Sequence, residues 1–472
     1  MSDLTSFSAA KMADQIRKRA FSPVELVQAH YDRIRQKNSL LNAFVDLDEE
    51  RALTQAQAAE SAVMRGRSLG PLHGVPVSIK SSIDVAGMRC EAGTRLRAGN
   101  IATHDAPLVS RLRRAGAIVL GVTNTPELLM AWETDNLLYG RTNNPWDPTR
   151  TAGGSSGGES AAIASGMSAG GVGSDGGGSI RVPAHFTGIC GLKPTPGRIP
   201  CTGHFPPSGG PFALLGVVGP MARTIVDVEL LFRAMAGPDD GDPSSAPVPS
   251  RTLPSEELMQ TRVGWFEDDG RTPVTRETRL AIEAAAQHLK RAGFQVEPFR
   301  PTELETARQL WWMFFGVAGG MILGPMLDGH EREISPILSE FTSWVREQPS
   351  HTGDTLLSTW LGRDEVRGKI LKQMRQFPIL LCPVAAVPAF KHRERSWLIE
   401  GKIVGYLDAW SYTEWFNLLG FPAVVVPMGQ SPEGLPIGVQ VVGRPWEEES
   451  VLQVAAQLEA QRGHFPLSPL EA

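Results

Sequence analysis

The reading of the chain turns on two glycine-rich stretches: Ala-Gly-Gly-Ser-Ser-Gly-Gly-Glu-Ser at residues 152–160 and Gly-Ser-Asp-Gly-Gly-Gly-Ser-Ile-Arg-Val-Pro at residues 173–183. Glycine at this density clears side chains from around the backbone and permits positive φ, so several amide N–H groups can converge on one small space. The central serines, Ser155 and Ser179, stand 24 residues apart (179 − 155). Two serine-bearing loops of this kind point to chemistry rather than to plain turns.

Outward from these loops the pattern is that of an α/β protein. Val75, Val77 and Ile79 alternate as on a strand with one face in the core, and Lys80 follows them directly. A lysine at a strand end is ordinarily solvated. Residues 105–116 carry Leu108, Leu112 and Ala115 on one helical face and lead into the apolar run 117–122. A helix followed by such a strand is what a parallel sheet covered on both faces produces. Residues 127–148 have helix potential, and 161–167 can form a short helix between the glycine loops. Near the start, Ser22-Pro23-Val24-Glu25 reads as a capped helix N-terminus, followed by Val27, Tyr31 and Ile34 at helical spacing.

Downstream, the five prolines of residues 237–255 mark an exposed connection within the fold. Strands at 263–266 and 294–296 then flank a helix at 280–291. Residues 302–377 are less regular, and Trp311-Trp312-Met313-Phe314-Phe315 concentrates aromatic surface, which is more often core than ligand pocket. Residues 423–426 and 437–442 read as strands, and Val451, Leu452, Ala455 and Leu458 as the buried stripe of a closing helix.

Composition narrows the classes. Hydrophobic residues are 42% and charged residues 21% of the 472, enough for a large core in a soluble globular chain. Lys and Arg (46) nearly balance Asp and Glu (51) with no basic run, which argues against a nucleic-acid partner and for a small-molecule substrate. No apolar stretch approaches the roughly 20 residues of a membrane helix, and the N-terminus lacks a signal-peptide core, so a cytoplasmic protein without a membrane span is expected. Four cysteines without a Cys-x-x-Cys pair, and ten histidines without a His-Glu-x-x-His motif, support neither a disulfide scaffold nor a metal site.

Three chemistries compete for the glycine stretches. Residues 171–176 fit Gly-x-Gly-x-x-Gly, but the acid that should bind a ribose about 20 positions later is missing; the next one after Asp175 is Asp227. A P-loop needs Gly-Lys-Ser/Thr at its end, and none occurs here. Residues 153–157 satisfy the Gly-x-Ser-x-Gly of an α/β-hydrolase elbow, for which His464 could be nominated by chain order. That elbow needs a strand directly before its serine, whereas Asn143-Asn144-Pro145-Trp146-Asp147-Pro148 stands there.

The third reading uses both stretches together with Lys80. Residues 153–159, 173–184, Gly-Leu-Lys-Pro-Thr at 191–195, Gly-Pro-Met-Ala-Arg at 219–223 and Gly-Val-Pro-Val-Ser-Ile-Lys at 74–80 resemble the amidase signature family. The likeness extends to Ser22-Pro23-Val24-Glu25-Leu26, Gly420-Phe421-Pro422 and residues 435–440, and is weak only at roughly 240–420. It implies an α/β fold: one domain spanning residues 1–472 around a twisted mixed sheet of about ten or more strands covered by helices on both faces. Residues 237–255 become a surface connection in that domain, and about 302–400 a variable substrate-pocket region.

The resemblance also implies roles. Ser179 becomes the nucleophile, Ser155 a bridging serine after an unusual cis peptide, and Lys80 the base, with no cofactor and no metal. Gly176, Gly177, Gly178 and Ser179 supply the oxyanion hole, and Ser156, Asp175 and Arg181 support it. Leu129, Met130 and Trp132 match the acyl-pocket wall, which suggests an apolar or aromatic amide, with ester and carbamate (urethane) hydrolysis in reach of the same serine. The logic is coherent, since a serine needs a base and burial keeps a lysine neutral. Two residues depart from the family pattern: Ser81 where aspartate commonly follows the lysine, and Gly176 where a bulkier residue is usual. Val182 stands where the amidase subunit of a tRNA-dependent amidotransferase has glutamine, which favours a free-standing enzyme. A non-catalytic binding subunit would not need Lys80, Ser155 and Ser179 together. A homodimer is the assembly considered.

Overall fold

The computed structural model describes residues 3–348 and 352–470. Thirteen strands occur among them, in chain order β1 (Phe44–Leu47), β2 (Pro76–Lys80), β3 (Ile118–Thr123), β4 (Gly170–Asp175), β5 (Cys190–Lys193), β6 (Val217–Ala222), β7 (Arg262–Trp265), β8 (Gln295–Pro298), β9 (Ile379–Pro383), β10 (Ser396–Ile399), β11 (Lys402–Gly405), β12 (Ala423–Gln430) and β13 (Pro436–Val442). Eleven of them form one mixed sheet in the order β1-β3-β2-β4-β6-β5-β12-β13-β9-β7-β8; β10 and β11 pair as a separate hairpin. The strands β3, β2 and β4 run parallel at one end, as do β9, β7 and β8 at the other, with antiparallel pairs between.

Both faces are covered, and β12 shows how sequence produces this. Val424 and Val426 join one hydrophobic cluster while Ala423 and Val425 join another. A continuous apolar run, with side chains alternating across a sheet, must be buried on both sides. Against the first face pack the helices Pro107–Arg114, Ile225–Met235, Arg276–Arg291 and Glu448–Arg462; Val451, Leu452, Ala455 and Leu458 are buried there, as their spacing predicts. The second face carries Arg181–Thr187, Leu304–Trp312, Gly353–Gln373 and Ser411–Leu418. The N-terminal helix Pro23–Leu41 starts where the capping pattern places it: Ser22 Oγ accepts from the Glu25 N–H (3.0 Å), and the Ser22 N–H donates to Glu25 Oε2 (2.8 Å).

Four expectations change. The strand ending at Lys80 has both faces buried, not one, because it lies inside the sheet between β3 and β4. Residues 127–148 form no helix beyond the short turn Glu127–Leu129. There Asn136 competes for the backbone: its Oδ1 accepts from the N–H groups of Leu138 (2.9 Å) and Tyr139 (2.8 Å). The second glycine stretch begins as a strand, β4, and not as a loop. A Cβ on Gly171 would come within 1.9 Å of Glu159 Oε1, and one on Gly173 within 2.7 Å of Ser156 Oγ, so glycine there serves close approach rather than a turn. The helix between the serine stretches runs Gly157–Ala164, starting earlier than expected.

A further correction concerns apolar length. Leu304–Leu327 is continuously helical over 24 residues and contains an 18-residue window with a mean hydropathy of 1.6, long and apolar enough to cross a membrane. Half of that window is buried inside the fold, where Trp311, Phe314 and Leu323 pack. Its apolarity is that of a core helix whose one polar-facing side is also greasy, at Met321 and Ile322.

Candidate active site

The carboxyl ends of the parallel neighbours β2 and β4 place the chemistry. Lys80 is the last residue of β2, and Ser174 and Asp175 end β4. Ser155 precedes the helix Gly157–Ala164, and Ser179 precedes Arg181–Thr187, so both glycine stretches turn at this edge. Ligand sites in open α/β sheets lie outside strand carboxyl ends for the same topological reason.

Lys80 is fully buried, not solvated. Its Nζ lies 2.7 Å from Ser155 Oγ, 3.1 Å from Ser156 Oγ and 3.1 Å from Ser174 Oγ. Burial brings the amine down to about 7, although the carboxyl groups of Asp175 and Glu159 work against that fall. A neutral amine can donate two protons and accept one. Ser156 Oγ stands 3.3 Å from the Ser174 carbonyl and 3.3 Å from the Ser174 N–H, so its own proton goes to that carbonyl and it accepts from Lys80. Neither Ser155 Oγ nor Ser174 Oγ meets another acceptor among the described residues, and Ser155, at 2.7 Å against 3.1 Å, is the nearer donor to the lone pair of the amine. The Gly154–Ser155 peptide is cis, as the resemblance implies, and Thr125 Oγ1 donates to the Ser155 carbonyl at 2.8 Å.

Behind Lys80 lies Glu159, a residue the sequence did not single out. Ser78 Oγ and Thr123 Oγ1 donate to its carboxylate, yet burial pushes it up to about 7. Ser81, the first departure, is buried and bonds through its backbone to Thr123 and Ala92; the carboxyl groups acting on Lys80 are those of Asp175 and Glu159.

Asp175 and Arg181 form a buried bidentate pair: Arg181 Nε to Oδ2 and Nη2 to Oδ1, each 3.0 Å. The guanidinium also reaches Gln440 Oε1 (3.1 Å), the Thr413 carbonyl (3.0 Å) and Asn417. Burial would raise the Asp175 carboxyl, but the Arg181 charge outweighs it and holds the group far below the usual range. The pair therefore stabilises the fold above the ordinary carboxylate range and loses that contribution as pH falls below it. Arg181→Met strands the carboxylate in the interior, and a destabilisation of about 3–5 kcal/mol is expected in denaturant unfolding at neutral pH. An unchanged midpoint would contradict that account.

The same carboxylate sets the second glycine stretch. Asp175 Oδ1 accepts from the Gly178 N–H (2.7 Å) and Oδ2 from the Ile180 N–H (3.0 Å). Gly178 is thus occupied within the loop. Among the described residues the amides of Gly176, Gly177 and Ser179 meet no acceptor. A Cβ on Gly176, the second departure, would stand 3.2 Å from Phe315 Cε2; the space left by the missing side chain is filled by that ring.

Ser179 borders two cavities. The larger, about 550 Å³, has Leu128, Leu129, Met130, Phe212, Val217 and Phe315 among its walls, with Ser155, Ser174 and His204. The smaller, about 300 Å³, lies against Leu129, Met130, Ala131, Trp132, Gly177, Phe315 and Phe341. Leu129, Met130 and Phe315 thus border both, while Trp132 belongs to the smaller alone and donates from Nε1 to the Gly177 carbonyl (2.8 Å). Leu128 and Leu129 both hold positive φ (50° and 66°), a region that costs a non-glycine residue and is concentrated at functional sites. His204 lies against the larger cavity with its pKa brought down to about 4 by burial, so it is neutral there. His464 is exposed beyond the last helix and takes no part.

With this geometry in place, the sequence profile described as Amidase matches residues 25–452. The chain belongs to the amidase signature family. An indoleacetamide hydrolase of Bradyrhizobium diazoefficiens is 34% identical, covering 97% of this chain and 87% of its own. An acylamidase of Rhodococcus erythropolis is 35% identical, covering 98% and 97%. A solved bacterial aryl acylamidase of the amidase signature family superposes with a TM-score of 0.85 at 26% identity, covering 96% of each chain. This amidase is accordingly an enzyme acting on carbon–nitrogen bonds of amides.

Proposed function

We propose that this amidase hydrolyses small, neutral, apolar or aromatic amides through Ser179, Ser155 and Lys80. The observation that carries the reading is the 2.7 Å contact between buried Lys80 and Ser155 beside a cavity that Ser179 shares. Lys80, neutral at pH above about 7, takes the proton of Ser155, and Ser155 takes that of Ser179 as its oxygen attacks the acyl carbon. The oxyanion is received by the open amides of Gly176, Gly177 and Ser179. Breakdown returns the proton through Ser155 to the leaving nitrogen, releasing the amine and leaving Ser179 acylated. Water, deprotonated along the same relay, then cleaves the ester and restores the serine.

Substrate class follows from the walls. The charged group on the cavity, Asp175, is already saturated by Arg181, and His204 is neutral, so nothing there receives a charge on the substrate. Burying an unpaired charge is costly, which selects neutral acyl and amine groups. Esters and carbamates present the same acyl carbon and are included. Hydrolysis rates over a panel of aliphatic amides, arylacetamides, anilides, esters and carbamates test this. The highest kcat/KM is expected for a neutral aryl member; a preference for one carrying a carboxylate or ammonium beside the scissile bond would refute the assignment.

A further inference from the structure

The helix that bears the aromatic run is continuous with a wider π-helical turn, Met313–Ala318, beside the oxyanion loop. Such turns recur at functional sites because they redirect side chains. Trp311 is fully buried, and its Nε1 donates to the Gly176 carbonyl at 2.9 Å. Its ring is held from the other side by Phe315, stacked at 4.5 Å and 12°.

Trp311 itself lies outside both cavities, yet its bond reaches into the chemistry through the peptide plane. In a trans peptide the carbonyl of one residue and the N–H of the next point in opposite directions. Fixing the Gly176 carbonyl on Trp311 therefore fixes the Gly177 N–H away from Trp311, and Gly177 borders the smaller cavity with Ser179. The neighbouring peptide shows the same arrangement with both ends occupied. Its Gly177 carbonyl is held by Trp132 Nε1 and by Thr413 Oγ1 (2.9 Å), and its Gly178 N–H is taken by Asp175. Of the two peptides, the one on Trp311 is the one whose N–H is still free. The approach is close: a Cβ on Gly177 would meet Trp311 Cζ2 at 2.4 Å, so the loop can sit on the indole only as glycine.

We propose that Trp311 is a positioning residue for the oxyanion loop, its indole N–H orienting the Gly176–Gly177 peptide so that the Gly177 N–H faces the oxygen of the reacting acyl group. This rests on the assignment of Ser179 as nucleophile. The role differs from packing, because it predicts an effect on the reacting state and not on binding.

A fluorophosphonate places a P=O oxygen where the oxyanion forms, so its rate of labelling reads the hole without knowledge of the natural substrate. Trp311→Phe removes the donor and keeps a ring. It is expected to slow labelling of the Ser179 peptide by about 10- to 100-fold, less than loss of a whole oxyanion donor, with the half-saturating concentration changed by less than about 3-fold. Trp311→His, which retains a ring N–H, should recover part of that rate. Thr413→Val removes a hydroxyl from the peptide whose N–H is already occupied, and should slow labelling by less than about 3-fold. Wild-type labelling in W311F, or equal slowing in W311F and T413V, would overturn the proposal. Should W311F fail to fold, W311H decides: a rate within about 5-fold of wild type supports the role, and a loss as large as about 100-fold opposes it. Ser179→Ala is run beside these; if it still labels at wild-type rate, the assignment of the nucleophile fails and not the role of Trp311.

Discussion

Ser179→Ala is expected to lower hydrolysis of the best amide by about a million-fold, to the residue of catalysis that a cavity and its amides supply without a nucleophile. Four hydroxyls crowd this site, and the geometry separates them. Ser155, Ser156 and Ser174 all stand on the Lys80 amine, and Ser156 is further tied to the Ser174 backbone. Ser179 borders both cavities and is flanked by the unoccupied amides. On the proposed mechanism an acyl group lies beside Met130 with its carbon at Ser179, and Ser155, the hydroxyl nearest the Lys80 amine, carries the proton onward to the base. Mass mapping after fluorophosphonate treatment should find the adduct on the Ser179 peptide in wild type and nowhere in the variant. Substantial turnover in Ser179→Ala, or an adduct on Ser155, would exchange the roles of the two serines.

Much of the fold was legible because it repeats simple patterns. The capping box at Ser22 and Glu25, the stripe at Val451 to Leu458 and the unbroken apolar runs at 117–122 and 423–426 each have one structural solution. Misreadings fell where a local signal was outvoted by neighbours. Residues 127–148 lost their helix to the side-chain bonds of Asn136, and β4 was hidden because its glycines, which usually signal a turn, were required by Glu159 and Ser156 crossing at contact distance. Reading 173–183 as one loop also hid Ser174, since only a strand turns that hydroxyl onto Lys80.

The site divides in the same way. Lys80, Ser155, Ser179 and the Asp175–Arg181 pair are carried by motifs whose spacing is local or family-specific. Glu159 stands inside the first motif, but its meaning depends on Ser78 and Thr123, 81 and 36 residues away. Trp311 comes from a third region altogether, 135 residues from the carbonyl it holds. A cluster of aromatics gives no sign in sequence of which ring will offer a donor to which peptide. Only the fold, by bringing β2 and β4 together and setting Trp311 against the turn that follows β4, makes those contacts.

Lys80→Met separates activity from stability most sharply. Methionine keeps the unbranched stem and removes the amine, so the relay has no terminus; amide hydrolysis is expected to fall by about 10³- to 10⁴-fold. An aryl ester, whose leaving group needs no proton, should lose about tenfold less. In wild type the acid limb of kcat/KM should lie near 7, because protonation of Lys80 removes the base as pH falls through that value, and activity should level off above it. In K80M that limb should disappear. Stability should move the other way. The folded-state pKa of Lys80 lies below its ordinary value of 10.5, so between about 7 and 10.5 the unfolded chain binds the extra proton and is favoured as pH falls. Replacing the amine by a thioether lifts that burden, and K80M should melt above wild type at neutral pH, with the gap narrowing as pH rises towards 10.5. A variant that kept its amide turnover, or that lost it together with its melting temperature, would show that the buried amine is held in place as part of the core and not as a base.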